Sequence, residues 1–332
     1  MNNVSNRHKI HLRIISPRYM KGRNHMKRKF SAAAVSLITA FSAVSCGSSK
    51  NDNANTVKIA YLPITHSLAV LEEAQQLEKQ SGLKVELVKY GSWTELTDAL
   101  NSNRVDGASV LIELAMKSKQ EGIGIKAVAL GHRDGNVIIV SNDISSAADL
   151  KGKTFAIPHR QSSHNILLND ALATAGLTIE DVNVTELAPT EMPSALASGQ
   201  IDGYCVAEPF GAMGVSIGAG KVLFSSEELW EDSLCCGLVL TDKFINDRPD
   251  DAKSFVENYK SAGNSLTKES AKKVAKKYLN QSDEVLDISL QCISYNDLDI
   301  TEETYNTLVE KVKEYGLSDN PPTYSEFVKN DF

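Results

Sequence analysis

Beyond residue 45 the chain carries four histidines, His66, His132, His159 and His164, and each falls where a short apolar run gives way to a helix-like stretch. Imidazole donates or accepts hydrogen bonds, titrates near neutral pH and ligates metals. Four such groups at equivalent places in a strand–helix alternation mark the edge of a sheet where ligands bind. Thr65 and His66 open one helix, where free backbone N–H groups favour an anion or polar group and Thr65 can also cap. Pro158-His-Arg-Gln-Ser-Ser-His164 repeats the arrangement: Ser162 or Ser163 caps the next helix, and Arg160 offers a planar fork of donors. In Gly131-His-Arg-Asp-Gly135, His132 faces a ligand while Arg133 and Asp134 are expected to pair across the turn. Trp93 supplies an aromatic wall. Glu113 is a further candidate contact, and Glu208 either accepts from a ligand N–H or hydroxyl or stabilises the helix that follows it. The histidines and Arg160 favour an anion, whereas Glu113, Glu208, Trp93 and Tyr61 suit a flat nitrogen heterocycle. No catalytic residue, cofactor or metal is expected. His159 and His164, with Glu113 or Glu208, are the one metal set weighed, and their His-x4-His spacing is a weak signature.

These side chains need elements to position them. Short apolar runs at 57–62, 84–88, 107–109, 125–130, 137–141, 154–157, 183–187, 203–206, 222–224 and 237–240 alternate with helical patterns at 66–80, 93–102, 111–120, 163–175 and 191–198. That alternation predicts parallel sheets covered on both faces. From 251 onward only helices follow, at 251–266, 268–279, 282–290, 301–315 and 325–329, expected to clothe one lobe. Ala99 to Ala108 and Ala195 to Tyr204 share one grammar, a helix end, a turn, an apolar residue, Asp, Gly and a strand, which indicates two lobes of similar build. Facing lobes would share one site at the carboxyl ends of their strands.

Charge is split along the chain. Residues 1–45 hold nine Lys/Arg and no acid, which leaves 26 basic against 42 acidic residues from Cys46 on. A body that acidic lacks the clustered basic face that phosphate binding needs, so a nucleic-acid partner is excluded. With 42% hydrophobic and 23% charged residues among 332, disorder and collagen are excluded too, and one large or two medium domains are expected. Met26-Lys-Arg-Lys-Phe30, an uncharged stretch at 31–45 and then Cys46 have the layout of a cleaved secretory signal, the apolar part falling short of the roughly 20 residues that span a bilayer. Ala43-Val-Ser-Cys46 resembles a lipoprotein signal, so Cys46 is expected to carry a lipid and anchor the chain on the extracytoplasmic face of the cell membrane. Residues 46–56 read as a flexible tether. Of the other cysteines, Cys205, Cys235, Cys236 and Cys292, none forms a CxxC, and the vicinal pair cannot readily bond to itself. Cys205, in an apolar run, reads as packing.

Lys58-Ile-Ala-Tyr-Leu-Pro-Ile-Thr-His66, Ser92-Trp-Thr-Glu-Leu96, Val105-Asp-Gly-Ala-Ser109, Asp149-Leu-Lys-Gly-Lys-Thr154 and 195–210, ending Ala-Glu-Pro-Phe, resemble the nitrate/sulfonate/taurine class of ABC-transporter substrate-binding proteins. The resemblance implies an α/β, bilobed periplasmic-binding-protein-like (type II) fold, two three-layer α/β lobes joined by crossover strands. Lobe 1 would take 57–136 plus 241–332 and lobe 2 would take 137–240, with hinge crossovers near 137–141 and 237–241. It also implies a monomer that captures a small molecule for permease and ATPase subunits. Leu111-Ile-Glu-Leu114 stands where the nitrate branch has prolines, which sets Glu113 against a nitrate ligand. Ser233-Leu-Cys-Cys-Gly237 resembles the edge of the cysteine cluster in a pyrimidine-synthesising, thiamine-related branch, the alternative reading, although that branch has a longer run. GxSxG, P-loop, HExxH and Rossmann fingerprints are missing, and no enzyme is expected. A surface sensor that binds without transport is the third reading.

Overall fold

The computed structural model describes residues 55–79 and 82–332; Cys46, the signal segment and the tether as far as Ala54 lie outside the described residues. Strands β1 (Thr56–Tyr61), β2 (Lys84–Lys89), β3 (Gly107–Leu111) and β4 (Ile125–Leu130) alternate with helices α1 (Leu68–Glu78), α2 (Trp93–Asn101) and α3 (Ile112–Gln120). A two-residue β5 (Arg133–Asp134) leads into β6 (Asn136–Ser141), β7 (Thr154–Ile157), α4 (Ser163–Ala173), β8 (Asn183–Glu186), α5 (Met192–Ala197), β9 (Gly203–Ala207), α6 (Phe210–Ser216) and β10 (Gly220–Ser225). After α7 (Ser226–Leu229), β11 (Cys236–Thr241) precedes α8 (Asp242–Asp247), α9 (Pro249–Ser265), α10 (Lys268–Leu279) and α11 (Asp283–Ser289). The short β12 (Ile293–Ser294), α12 (Glu302–Glu314) and α13 (Tyr324–Phe327) close the chain.

The strands build two five-stranded sheets, ordered β2-β1-β3-β11-β4 and β10-β6-β9-β7-β8. Parallel pairing holds for β1 with β2 and β3, and for β7 with β8 and β9. The sheets are nevertheless mixed rather than wholly parallel: β11 runs antiparallel to β3 and β4, and β6 to β9 and β10. Each of these strands arrives from the opposite lobe and so enters its sheet in reverse. β11 falls on the span 237–241 read as the second crossover strand, and it pairs within the first sheet from Cys236 on.

The C-terminal helices cover both lobes instead of one. α9 and α10 pack on α1, whereas α11 packs on α6. Lys311 of α12 meets Asp170 of α4 at 2.9 Å, and the Tyr315 hydroxyl donates to the same carboxylate at 2.6 Å. Their apolar stripes are distributed over two surfaces, which spacing within single helices does not reveal. Arg133 pairs with Asp297 and Asp232 and not with Asp134, because β5 is held against β12.

Ser92 accepts from the Glu95 amide and Ser162 from the Asn165 amide, so α2 and α4 start directly at the strand ends. α6 has a different basis. Phe-Gly-Ala-Met-Gly-Val-Ser is a poor helix former, and tertiary contacts hold it: Glu208 Oε2 accepts from the Ala212 amide at 2.9 Å, and Tyr204 Oη donates to the Phe210 carbonyl at 3.0 Å. A Cβ at Gly214 would fall 2.1 Å from Tyr204 Oη, so the helix lies closer to the second sheet than any other residue there would allow.

Gly214→Ala should therefore cost about 1–3 kcal/mol, and a Tyr204→Phe background, which removes the clashing oxygen, should recover part of it. A double-mutant cycle by urea denaturation reads this; an alanine variant as stable as its parent would refute the close approach. Burial pushes the Glu208 carboxyl up from 4.5 to about 7, against the lowering pull of the Ala212 amide and His66. A raised pKa stabilises at low pH, and the contribution is lost as pH rises through 7. Glu208→Gln keeps the acceptor without the titration, so it should gain on the parent by on the order of 3 kcal/mol between pH 4.5 and 8. Thermal melts across that range check the slope.

Candidate functional site

Because β11 lies antiparallel between β3 and β4, its first residues face the carboxyl ends of both: Cys236 pairs with Leu111 and Gly237 with Leu130. Cys235 and Cys236 therefore stand where His66, Glu113 and His132 emerge after β1, β3 and β4. The backbone pins the pair, with the Ile112 amide donating to Cys235 O at 2.8 Å and the Gly131 amide to Cys236 O at 2.7 Å. Gly131 is required for this approach, since a Cβ there would lie 2.9 Å from His66 O and 3.1 Å from Cys236 O.

His66, His132, Cys235 and Cys236 are all buried, with their ligating atoms within 4.8 Å of one another. The two imidazoles stack with centroids 3.4 Å apart. His66 Nε2 lies 3.0 Å from Gly135 O, and His132 Nδ1 lies 2.6 Å from Asp134 O. A carbonyl only accepts, so those nitrogens carry the protons and the opposite ones, His66 Nδ1 and His132 Nε2, hold lone pairs. Cys235 Sγ sits 3.6 Å from His66 Nδ1, Cys236 Sγ sits 3.5 Å from it, and the two sulfurs are 3.8 Å apart. Cys235 also faces Asn136 Oδ1 at 3.6 Å. Burial pushes the Cys235 thiol up, but the Cys236 thiol and the imidazoles of His66, His132 and His164 outweigh it and hold Cys235 well below the ordinary thiol range. Burial and the neighbouring Cys235 push Cys236 the other way. His132 is lowered to about 4, by burial first and by His66 second.

The second lobe covers this cluster with the start of α4. His164 is fully buried, lowered to about 4 by burial, and neither ring nitrogen has a partner. Ser163 Oγ, Asn136 Nδ2, Ser233 Oγ, His132 Nε2 and both Glu113 carboxyl oxygens are likewise buried without partners. Burial, then the nearness of Cys235, raises the Glu113 carboxyl well above its ordinary value; the amides of Glu113 and Ser163 oppose this without closing a hydrogen bond. Beside the cluster the lobes touch directly. The Thr65 amide and hydroxyl both donate to Glu208 O, at 2.9 and 2.8 Å, and Gln161 Nε2 donates to Leu317 O at 2.8 Å.

Of the residues singled out from sequence, His66, His132, His164, Glu113 and Ser163 come together here, with Thr65 and Glu208 as the adjoining clamp. Trp93 and His159 line a separate groove of about 230 Å³ with Pro158, Glu186 and Pro189. Ser162 is occupied as the α4 cap and donates to His159 O at 2.6 Å. Arg160 is exposed, and its guanidinium donates to Val184 O at 3.0 Å, away from the cluster. Cys235, Cys236, Asn136 and Ser233 join them without a sequence signal of their own beyond the vicinal cysteine pair at the start of an apolar strand.

The model of the NMT1-like family matches residues 50–280. A structure described as the ligand binding component of an ABC-type import system from Staphylococcus aureus with zinc bound is 40% identical at a TM-score of 0.80, covering 83% of this chain and 97% of that one. The periplasmic aliphatic sulphonate binding protein SsuA from Escherichia coli, 19% identical with a TM-score of 0.69 over 83% of this chain and 92% of its own, shares the bilobed periplasmic-binding-protein-like fold. The nitrate import ATP-binding protein NrtC of Synechocystis sp. is 28% identical over 214 residues, 58% of this chain, which spans 32% of that relative's length. Matched from residue 50 to residue 280, well over half its length, the chain belongs to the NMT1-like family.

Proposed function

We propose that the chain is the solute-binding subunit of an ABC importer, a monomer held by a lipid on Cys46 at the extracytoplasmic face. It captures one small solute between its lobes and passes it, chemically unaltered, to permease and ATPase subunits. One observation carries this reading: both lobes bring buried polar atoms without partners, Glu113 and His132 from the first and Ser163 and His164 from the second, and Glu113, His132 and His164 all lie close enough to Cys235 to feel its charge. Each such atom costs about 1–3 kcal/mol, a cost a bound species removes, and that differential affinity favours the closed clamp. The descriptions of the Staphylococcus aureus, SsuA and NrtC relatives as import or binding components support it.

The residues that gather at the cluster present carboxyl, imidazole, amide, hydroxyl and thiol groups. That composition favours a species bringing N–H donors or positive charge over a bare anion such as nitrate or a sulfonate. A second reading, in which the captured species is a metal ion, is favoured by the two histidines and two cysteines and by the zinc in the Staphylococcus aureus relative.

A thermal-shift panel of nitrate, sulfonates, pyrimidines and divalent metals on the purified mature chain tests capture, since a ligand raises Tm by mass action. The stabilising species should lose at least tenfold in affinity in His164→Ala and less than twofold in Arg160→Ala; the reverse ranking would place the site elsewhere. Cys46→Ala should shift the protein from the detergent phase to the aqueous phase on partitioning, and unchanged partitioning would exclude the anchor.

A further inference from the structure

We infer that His66 Nδ1, His132 Nε2 and the Sγ atoms of Cys235 and Cys236 form a closed tetrahedral site for one thiophilic metal ion of the zinc class, built on the edge of the first sheet and covered by the second lobe. This deepens the metal reading of the interlobe site and rests on it. The edges of the cluster supply the argument. Zinc–sulfur bonds of about 2.3 Å and zinc–nitrogen bonds of about 2.0–2.1 Å at tetrahedral angles require sulfurs about 3.8 Å apart and sulfur–nitrogen edges of about 3.6 Å. The cluster has 3.8 Å between Cys235 and Cys236, and 3.6 and 3.5 Å from their sulfurs to His66 Nδ1. In the fourth residue, His132, Nε2 is buried without a partner, and one ligand atom from each of the four residues lies within 4.8 Å of the others.

The surroundings have the form an outer coordination shell takes. Each imidazole gives its other nitrogen to a main-chain carbonyl, Gly135 O for His66 and Asp134 O for His132, which fixes the ring and leaves the lone pair turned to the sulfurs. Two thiolates neutralise a divalent ion, so the buried assembly is balanced without further charge. Thiolate and imidazole donors select zinc over magnesium or calcium, which want oxygen. All four donors follow strands of the first sheet or open β11, while α4 of the second lobe supplies Ser163 and His164 as cover. The ion therefore docks on one lobe and is enclosed by the other.

The full mature chain, reduced with a phosphine and stripped of metal, is titrated with cobalt(II), zinc(II) and magnesium(II). One equivalent of cobalt should produce the intense visible bands of a tetrahedral thiolate site, zinc should displace it one for one, and magnesium should do neither. Cys236→Ser and His132→Gln should each weaken zinc at least about 100-fold. In the unmutated chain, where folding is not in question, zinc should shield Cys235 and Cys236 from alkylation and leave exposed Cys292 reactive. A pale octahedral cobalt spectrum, unshielded Cys235 and Cys236, or zinc affinity unchanged in a folded Cys236→Ser variant would overturn the site. Binding of copper(I) but not zinc would overturn the zinc assignment. Absence of metal binding alongside a clear thermal shift with an organic solute would overturn this inference alone and leave solute capture standing.

Discussion

The insertion of β11 between β3 and β4 constrains everything else in the molecule. A strand that returns from the second lobe must enter the first sheet antiparallel, and its amino end then necessarily abuts the carboxyl ends of its neighbours. The residues at the point of return are thereby delivered to the edge where loops after β1, β3 and β4 converge. Cys235 and Cys236 occupy that point, and Gly131 is the small residue that lets His66 and Cys236 close around it. In an open sheet with a single topological switch point, a ligand site forms between loops. Here the crossing strand itself contributes the chemistry.

The same crossing explains the energetic oddity of the interior. Carboxyl, hydroxyl, amide and imidazole atoms stay buried without partners, although native interiors pair nearly all such groups. Charge cannot easily reside there: burial raises Glu113 and lowers His132 and His164, so each is driven towards its neutral form. Cys235 goes the other way, held low by its thiol and imidazole neighbours despite burial. One thiol held low amid groups driven towards their neutral forms would suit the small guest proposed above, which would satisfy the unmet polar capacity.

The strands were legible because each is a short apolar run between turn residues, and β4 (Ile125–Leu130) and β7 (Thr154–Ile157) match the expected spans residue for residue. α6 was not, because its two glycines and short length hide a helix that exists only through Glu208, Tyr204 and the sheet beneath it. At the candidate site, the junction positions of His66, His132 and His164 were readable, since each follows a strand that its apolar run marks. Arg160 sits in the same kind of segment, yet its length lets the guanidinium fold back onto Val184 O; a long side chain is poorly located by its backbone. The cysteines were hidden for the opposite reason. Nothing local distinguishes a packing thiol from a converging one, and only the reverse entry of β11 brings Cys235 and Cys236 to His66.

The C-terminal helices bridge the two lobes, and that bears on how the proposed clamp would work. The Lys311–Asp170 pair, with side chains 19% and 9% exposed, and the Tyr315 hydroxyl on the same carboxylate tie α12 to α4. Removing one partner from a buried pair costs several kcal/mol, but separating both into water returns their hydration, so the pair comes near to breaking even. The Thr65 donors on Glu208 O likewise trade for water when the lobes part. These bonds therefore define where the closed lobes meet more than they hold them shut. With the polar contacts close to neutral in the balance, a species held between His66, His132, Cys235 and Cys236 on one side and Ser163 and His164 on the other would be the deciding contribution to the closure proposed above, since only a contact absent from an open form can shift the equilibrium.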